Sequence, residues 1–522
     1  MSATRKRKPI ATGSDWNFSV LERFDAELAR LADEYRLDTY PNQIEVITTE
    51  QMMDAYASVG MPVGYHHWSF GKQFLAVEGA YKRGQMGLAY ELVINSDPCI
   101  AYLMEENTLM MQVLVMAHAC YGHNSFFKGN YLFRTWTDAS SIVDYLVFAR
   151  KYITQCEERH GVQAVEQLLD ACHALQNYGV DRYKRPSPIS AEEEAKRQDE
   201  REAYLQTQVN MLWRTIPEPA GGESLQEHGS QHSDDDPLGL HDGGHYPSEP
   251  QENLLYFIEK NAPLLAPWQR EIVRIVRKLA QYFYPQRQTQ VMNEGWACFW
   301  HYTLMNRLYD DGNVDEGLML EFLQSHAAVI NQPGFYSPQF SGINPYALGF
   351  AIFMDIKRIC ESPTDEDREW FPDVAGSPWR ETLEFAMRNF KDESFIQQFL
   401  SPKVMRDHKL FLIVDDDQAE TLEVAAIHNE QGYRQVREAL ATQYALSVRE
   451  PNIQVVEAAI RGDRSLTLHH VQDSRRPLGR SVYPVIRHLQ QLWGFPVHLV
   501  SLEEGRVTRR FHWPIEDDKA PS

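Results

Sequence analysis

Apolar residues recur every three or four positions through most of the first 400 residues, and this spacing fixes the kind of fold available. In "DWNFSVLERFDAELARLADEYRL", Phe18, Leu21, Phe24, Leu28 and Leu31 fall on one stripe of a helix. "NTLMMQVLVMAHA" lies in a stretch from Glu106 to Ala119 that has no helix breaker, and "SSIVDYLVFARKYITQCEERHG" is amphipathic with Gly161 as its natural stop. The same pattern resumes at "NLLYFIEKNAP", "PWQREIVRIVRKLAQYF", "NPYALGFAIFMDIKRIC" and "SPWRETLEFAMRNF". The less regular "MPVGYHHWSFGKQF" and "YELVINSDPC" interrupt it, and "ELVI" reads as a short strand.

After about residue 405 the period changes. "HKLFLIVDDD" reads as a strand and "QGYRQVREALATQYALS" as a helix. "NIQVVEAAIRGDRSLTLHHVQ" reads as two strands turned at Gly462–Asp463, "SVYPVIRHLQQLWG" as a helix stopped by Gly494, and "PVHLVSLEEGRVTRRFHW" as a closing hairpin. The expected fold class is mainly α: a helical body over 15–405, a flexible N-terminus over 1–14, and a C-terminal α+β module over 406–522. "PSPISAEEEAKRQDEREAYLQTQ" reads as a charged helix. The Gly-, Pro-, Asp- and His-rich stretch near 215–253 reads as a flexible acidic insertion, whose His228, His232, His241 and His245 are either solvated or available to a metal.

Charge and cysteine content narrow the function classes. In 522 residues, 51 Lys and Arg against 73 Asp and Glu leave a net charge of −22. Such a surface repels nucleic acid and anionic membrane, so neither is expected as a partner. No segment approaches the ~20 apolar residues of a membrane span, and no apolar h-region follows the basic "TRKRKPI". Six cysteines without CxxC spacing point to free thiols and a cytoplasmic location. There is no GxxxxGK[ST], no GxGxxG after a strand and no GxSxG.

Two stretches carry candidate chemistry. In "AHACYGHNSFFKGN", His118 and His123 are five apart and diverge by about 140° on an ideal helix. A left-handed Gly122 would end the helix after Tyr121 and turn His123 back beside His118. The alternative is a pair of histidines capping a helix end. HExxH, the zinc-protease spacing, is absent. In "NEGWACFWHY", Glu294, Cys298 and His301 lie within about 40° on one helix face. The rise from Glu294 to His301 is about 10 Å, too long for both to reach one ion easily. They suit a two-metal site or a substrate groove, or Glu294 pairs with an arginine such as Arg270 or Arg287 and Cys298 is a small filler. Gly295 loses about 1 kcal/mol in a helix relative to alanine, which suggests a close neighbour at that position. "GYHHWSFGKQ" offers His66 and His67, only one of which can face a shared site. Asn344 of "SGINPYALGF" is a helix cap or a binding residue.

Together, "AHACYGHNSFFKGN", "NEGWACFWHY", "GYHHWSFGK", "FIEKNAPLLAPWQREIVRIVR" and "INPYALGFAIFMDIKRI" resemble the SpoVR family (stage V sporulation protein R), over nearly the whole chain from about residue 15. The resemblance implies a link to the spore cortex in spore-forming bacteria and a stress or stationary-phase role in others. There it implies a serine protein kinase and a von Willebrand factor A-like protein as partners. It carries no catalytic residue with it. From the motifs themselves, the expectation is a metal-dependent hydrolase-like site binding Zn, Mn or Fe. His118, His123 and His301 would be its ligands and Glu294 a ligand or general base. His66, His67, Asn124, Cys298 and Asn344 would support the site or touch substrate. The competing reading is a regulatory scaffold without turnover. A di-iron site is disfavoured because no ExxH pair accompanies these helices.

Overall fold

The computed structural model describes residues 8–57, 64–69, 72, 91–182, 246–247, 249–414, 423–426, 429–459, 462–472 and 477–514. The charged helix expected after residue 186 and the histidines of the acidic insertion lie outside them. The described chain is mainly helical, and it divides into two compact units. One comprises Met1–Gln167 and Gln281–Glu450, the other Leu168–Ala280 and Pro451–Ser522.

The first unit is built around one helix. Helix α1 (Phe18–Glu34) starts where Asn17 accepts the Val20 N–H, and it buries Leu21, Phe24, Leu28 and Leu31 as the spacing predicts. Phe18, at the edge of that stripe, stays exposed. A three-stranded sheet follows, made of β1 (Asn42–Ile47), β2 (Glu91–Ile94) and β3 (Cys99–Met104) in the order β1-β3-β2. The central β3 is buried throughout, parallel to β1 and antiparallel to β2, with Glu91 opposite Leu103. Helix α2 (Leu109–Met116) continues without a break into a π-helical segment, Ala117–His123.

Helix α3 (Gln290–Asp310) is buried nearly all round, as expected for a helix apolar on every face. Its first half (Val291, Met292, Trp296, Phe299, Trp300) packs with α5 (Pro345–Glu361) and with helices Trp379–Asn389 and Asp392–Phe399. Its second half (Leu304, Met305, Leu308) belongs to a separate cluster with α1, α2 and α4 (Glu316–Val329). Two contacts let the backbones approach this closely. A Cβ on Gly295 would lie 2.4 Å from Gly349 Cα of α5, and one on Gly349 would lie 2.0 Å from the Val291 carbonyl oxygen. A Cβ on Gly122 would meet Ala297 Cα at 2.6 Å. The start of α3 is satisfied from outside, because the buried Asp392 carboxylate accepts the N–H groups of Val291 (3.0 Å) and Met292 (2.9 Å).

Residues beyond 405 correct the expected boundary. Helix Glu430–Tyr444 contributes Tyr433, Val436 and Leu440 to the α3–α5 core, so the body extends to Glu450. Its apolar face found a site in the body, and the change of period near 405 marks only the short strand pair β4 (Leu412–Val414) and β5 (Glu423–Ala426). Of the expected N-terminal segment 1–14, residues 1–7 lie outside the described residues, and within the rest Ile10 gives its N–H to the Asn313 carbonyl and takes a hydrogen bond from Arg23.

The second unit holds a four-stranded sheet, β6 (Asn452–Ala458), β7 (Leu466–Val471), β8 (Val497–Glu503) and β9 (Arg506–Trp513), in that order. The parallel β7–β8 pair is joined through helix α6 (Val482–Trp493), which Gly494 ends in the left-handed region as expected. Trp493 stacks on Phe257 of helix Leu254–Asn261. Gln251, near the end of the expected insertion, bridges to Val455. Among the described residues no helix is long and apolar enough to cross a membrane.

Two outcomes follow from the surroundings of α3. Gly349→Ala forces a methyl against the Val291 carbonyl, and the neighbour is backbone that cannot rotate away. The cost should be at least the ~1–3 kcal/mol of ordinary overpacking, read as a lower unfolding midpoint in urea. Burial pushes the Asp392 carboxyl up to about 7, against the hydrogen bonds from Val291 and Met292 and the charge of Arg449. The folded state therefore holds this proton between about pH 4 and 7 while the unfolded chain releases it, and stability is lost as pH rises through that window. Asp392→Asn keeps an acceptor and never ionises. Relative to wild type it should gain stability from pH 5 to pH 8, measured by urea unfolding at both.

Candidate metal centre

His118 and His123 meet because the helix that carries them changes pitch. In a segment bonded i→i+5, residues five apart stack on one face, and the Asn124 N–H reaches the Ala119 carbonyl in that pattern. The two rings lie 4.6 Å apart and perpendicular. The expected left-handed turn at Gly122 does not occur, since the glycine stays helical and serves instead as the contact with Ala297. Ser125 caps the widened turn, its Oγ lying 2.6 Å from the Tyr121 carbonyl and 2.9 Å from that of Gly122, and it accepts the Trp296 indole N–H.

Both imidazoles turn Nε2 toward two carboxylates. His118 Nε2 lies 3.2 Å from Glu91 Oε1 and 3.7 Å from Glu294 Oε2. His123 Nε2 lies 3.7 and 3.5 Å from the same two oxygens. For ligands at Zn–N distances of 2.0–2.1 Å, the edge of a tetrahedron is about 3.3 Å, so these separations fit donors around one ion. Glu294 Oε2 is buried and accepts no hydrogen bond, while the Tyr346 hydroxyl bonds the same carboxylate. The set of two imidazoles and two carboxylates suits zinc, manganese or iron.

The other ring nitrogens are held from behind. His123 Nδ1 lies 2.9 Å from Asn293 Oδ1, an acceptor, so Nδ1 carries the proton and Nε2 keeps its lone pair. His118 Nδ1 lies 2.8 Å from His301 Nδ1, and His301 Nε2 lies 2.7 Å from His326 Nδ1 on α4. His301, expected as a ligand, stands behind His118 and not among the four converging groups. Seven residues of helical rise separate it from Glu294, and both its nitrogens face other histidines.

The electrostatics follow from burying four polar groups together. Burial raises Glu91 to about 7, with His118 opposing and Glu294 adding to the rise. Burial also favours neutral His118, but Glu91 and Glu294 outweigh it and its pKa rises. Burial lowers His123 to about 4 and drives His301 well below its usual range. Glu294 stays below the usual carboxylate value, because His123, His118 and Tyr346 overcome the burial that would raise it.

The remaining sequence candidates separate by position. Cys298 Sγ and ring nitrogens of His118 and His301 lie within 4.8 Å of one another, a second group of buried donors next to the first. Asn124 ties the chain before β1, bonding the Tyr40 backbone and the Asn42 side chain. Asn344 caps α5 and holds the Val329 and Asn331 carbonyls, so it fixes the turn that presents Tyr346. His66 is exposed and interacts electrostatically with Glu157, and His67 meets Ser69. Neither is brought to the four converging side chains. Of the arginines considered for Glu294, Arg287 pairs with Glu450 and Arg270 bonds the carbonyls of Glu259 and Ala262.

Sequence reasoning missed Glu91, Asn293, His326 and Tyr346. Glu91 opens the "ELVI" strand, and a charged residue heading a buried apolar run was the available signal. His326 sits in an unremarkable amphipathic helix that offered none.

A family model described as "SpoVR like protein" matches residues 15–449, and one described as "SpoVR-like C-terminal domain" matches 451–504. Their junction coincides with the boundary between Glu450 and Pro451. The chain is 65% identical over 495 residues to "Uncharacterized protein YcgB" of Escherichia coli (strain K12), covering 95% of this chain and 94% of that one. No solved structure matches it. The chain belongs to the SpoVR family.

Proposed function

We propose that this SpoVR-family protein holds one divalent metal between His118, His123 and Glu294, with Glu91 beside it, and uses the centre to hydrolyse an amide-type bond. The observation that carries this reading is the convergence of two Nε2 atoms and two carboxylate oxygens at 3.2–3.7 Å. A divalent metal supplies Lewis acidity there, polarising a carbonyl and acidifying a water. The protein's own groups do the rest. Asn293 orients His123, and the Tyr346 hydroxyl anchors the Glu294 carboxylate on α3. Glu91 enters from a different element, the edge strand β2, and stands within reach to take a proton from an attacking water and return it to a leaving amine.

The cortex association of the family points to peptidoglycan-precursor amides as substrates, and the family resemblance to a serine protein kinase and a von Willebrand factor A-like protein as partners. All six cysteines are buried and free, which supports a reducing cytoplasm.

Elemental analysis of the full-length protein tests the centre. About one equivalent of Zn, Mn or Fe is expected, lost in His118→Ala. Glu91→Gln should keep the metal and the fold yet fail to restore function in a deletion strain. A metal-free wild type, with both variants complementing, overturns the proposal.

A further inference from the structure

His118 differs from His123 in what stands behind it. Asn293 Oδ1 can only accept, so it fixes the His123 tautomer by itself. Behind His118 stands another imidazole, and a neutral imidazole is a donor at one nitrogen and an acceptor at the other. The chain His118 Nδ1···Nδ1 His301 Nε2···Nδ1 His326 therefore has two self-consistent directions. In one, His326 donates to His301, His301 donates to His118, and His118 is left with its proton on Nε2, facing Glu91. In the other, His118 donates outward through Nδ1, His301 donates through Nε2, and His326 accepts at Nδ1. Only the second leaves a lone pair on His118 Nε2.

We infer that His326 is a positioning residue that, by accepting at Nδ1, sets through His301 the tautomer in which His118 offers Nε2 to the centre. This rests on the metal-centre reading above. His301 cannot decide the direction alone, because both of its nitrogens are already committed within the chain. The decision falls to the end member. His326 is held for that task, buried on α4 between the rings of Tyr302, Phe322 and Phe350, with centroids 4.9, 5.8 and 4.9 Å away. Burial in this box, with the His118 charge adding, keeps its pKa down at about 4, so it carries a single proton and accepts at Nδ1 when that proton sits on Nε2. The arrangement extends to three residues the common pattern in which a ligating histidine is oriented by the partner of its second nitrogen.

The test measures zinc affinity of the full-length protein by chelator competition, with thermal unfolding of the metal-free forms alongside. His326→Leu removes the acceptor and should weaken zinc binding by about 10–100-fold. His326→Asn places a carbonyl oxygen near the Nδ1 position and should stay within about threefold of wild type. Equal zinc affinity in His326→Leu and wild type overturns the inference while leaving the centre intact. A wild type that binds no zinc, manganese or iron overturns both. Because His326→Leu can disturb the aromatic box, a second measurement uses wild type alone. In the metal-free protein, where no ion imposes the direction, ¹⁵N shifts of labelled histidine should show His301 protonated at Nε2. Protonation at Nδ1 overturns the inference.

Discussion

Everything in the first unit depends on how closely α3 approaches the helices on either side of it. Gly295 against Gly349 brings α5 to backbone contact on one flank, and Ala297 against Gly122 brings the π-helical segment equally near on the other. At these distances no side chain separates the elements. A polar group on any of the three then faces groups on the other two. Glu294 thereby meets Tyr346 from α5 and both histidines of the π-helical segment. The glycine in "NEGWACFWHY" weakens the isolated helix, and the tertiary structure uses the space it leaves.

That packing also makes the site electrostatically expensive. Two carboxylates share a buried space with imidazoles, most of which burial disposes to be neutral, so their charges are set against one another. The opposed shifts show the strain. Glu91 is pushed toward holding a proton and His118 toward gaining one, whereas His123 is pushed toward losing it. The metal proposed above would meet the same demand that these protons meet. The groups behind the site, Asn293 and the His301–His326 pair, are themselves buried, so the ring nitrogens bond to protein groups and not to bulk water.

The sequence went far in predicting the elements. The stripe of Leu21, Phe24, Leu28 and Leu31, the stops at Gly161 and Gly494, and the turn at Gly462–Asp463 depend on local periodicity and local backbone freedom, and they appear as read. Asn344 was legible as a cap for the same reason. The site was only half legible. "HACYGH" and "NEGWACFWHY" advertised themselves by unusual polar residues among apolar ones. The π pitch did not, because an extra residue per turn is selected by the packing of Gly122 on Ala297, and nothing in a five-residue spacing distinguishes it from a turn.

By itself, then, the sequence determined the helical body, the α+β character of the C-terminal sheet, the family, and two of the stretches that supply polar groups. Tertiary structure decided which atoms face one another. It brought Glu91 from an edge strand about two hundred positions before Glu294, set His301 behind His118, recruited His326 from a helix with no visible motif, and turned Tyr346, two residues after Asn344, toward Glu294. The physical reason is one of range. Helical period and capping act over a few residues, whereas the convergence of donors is fixed by contacts between elements remote in the chain, and those contacts are written in the volumes of glycine, alanine and their opposing backbones.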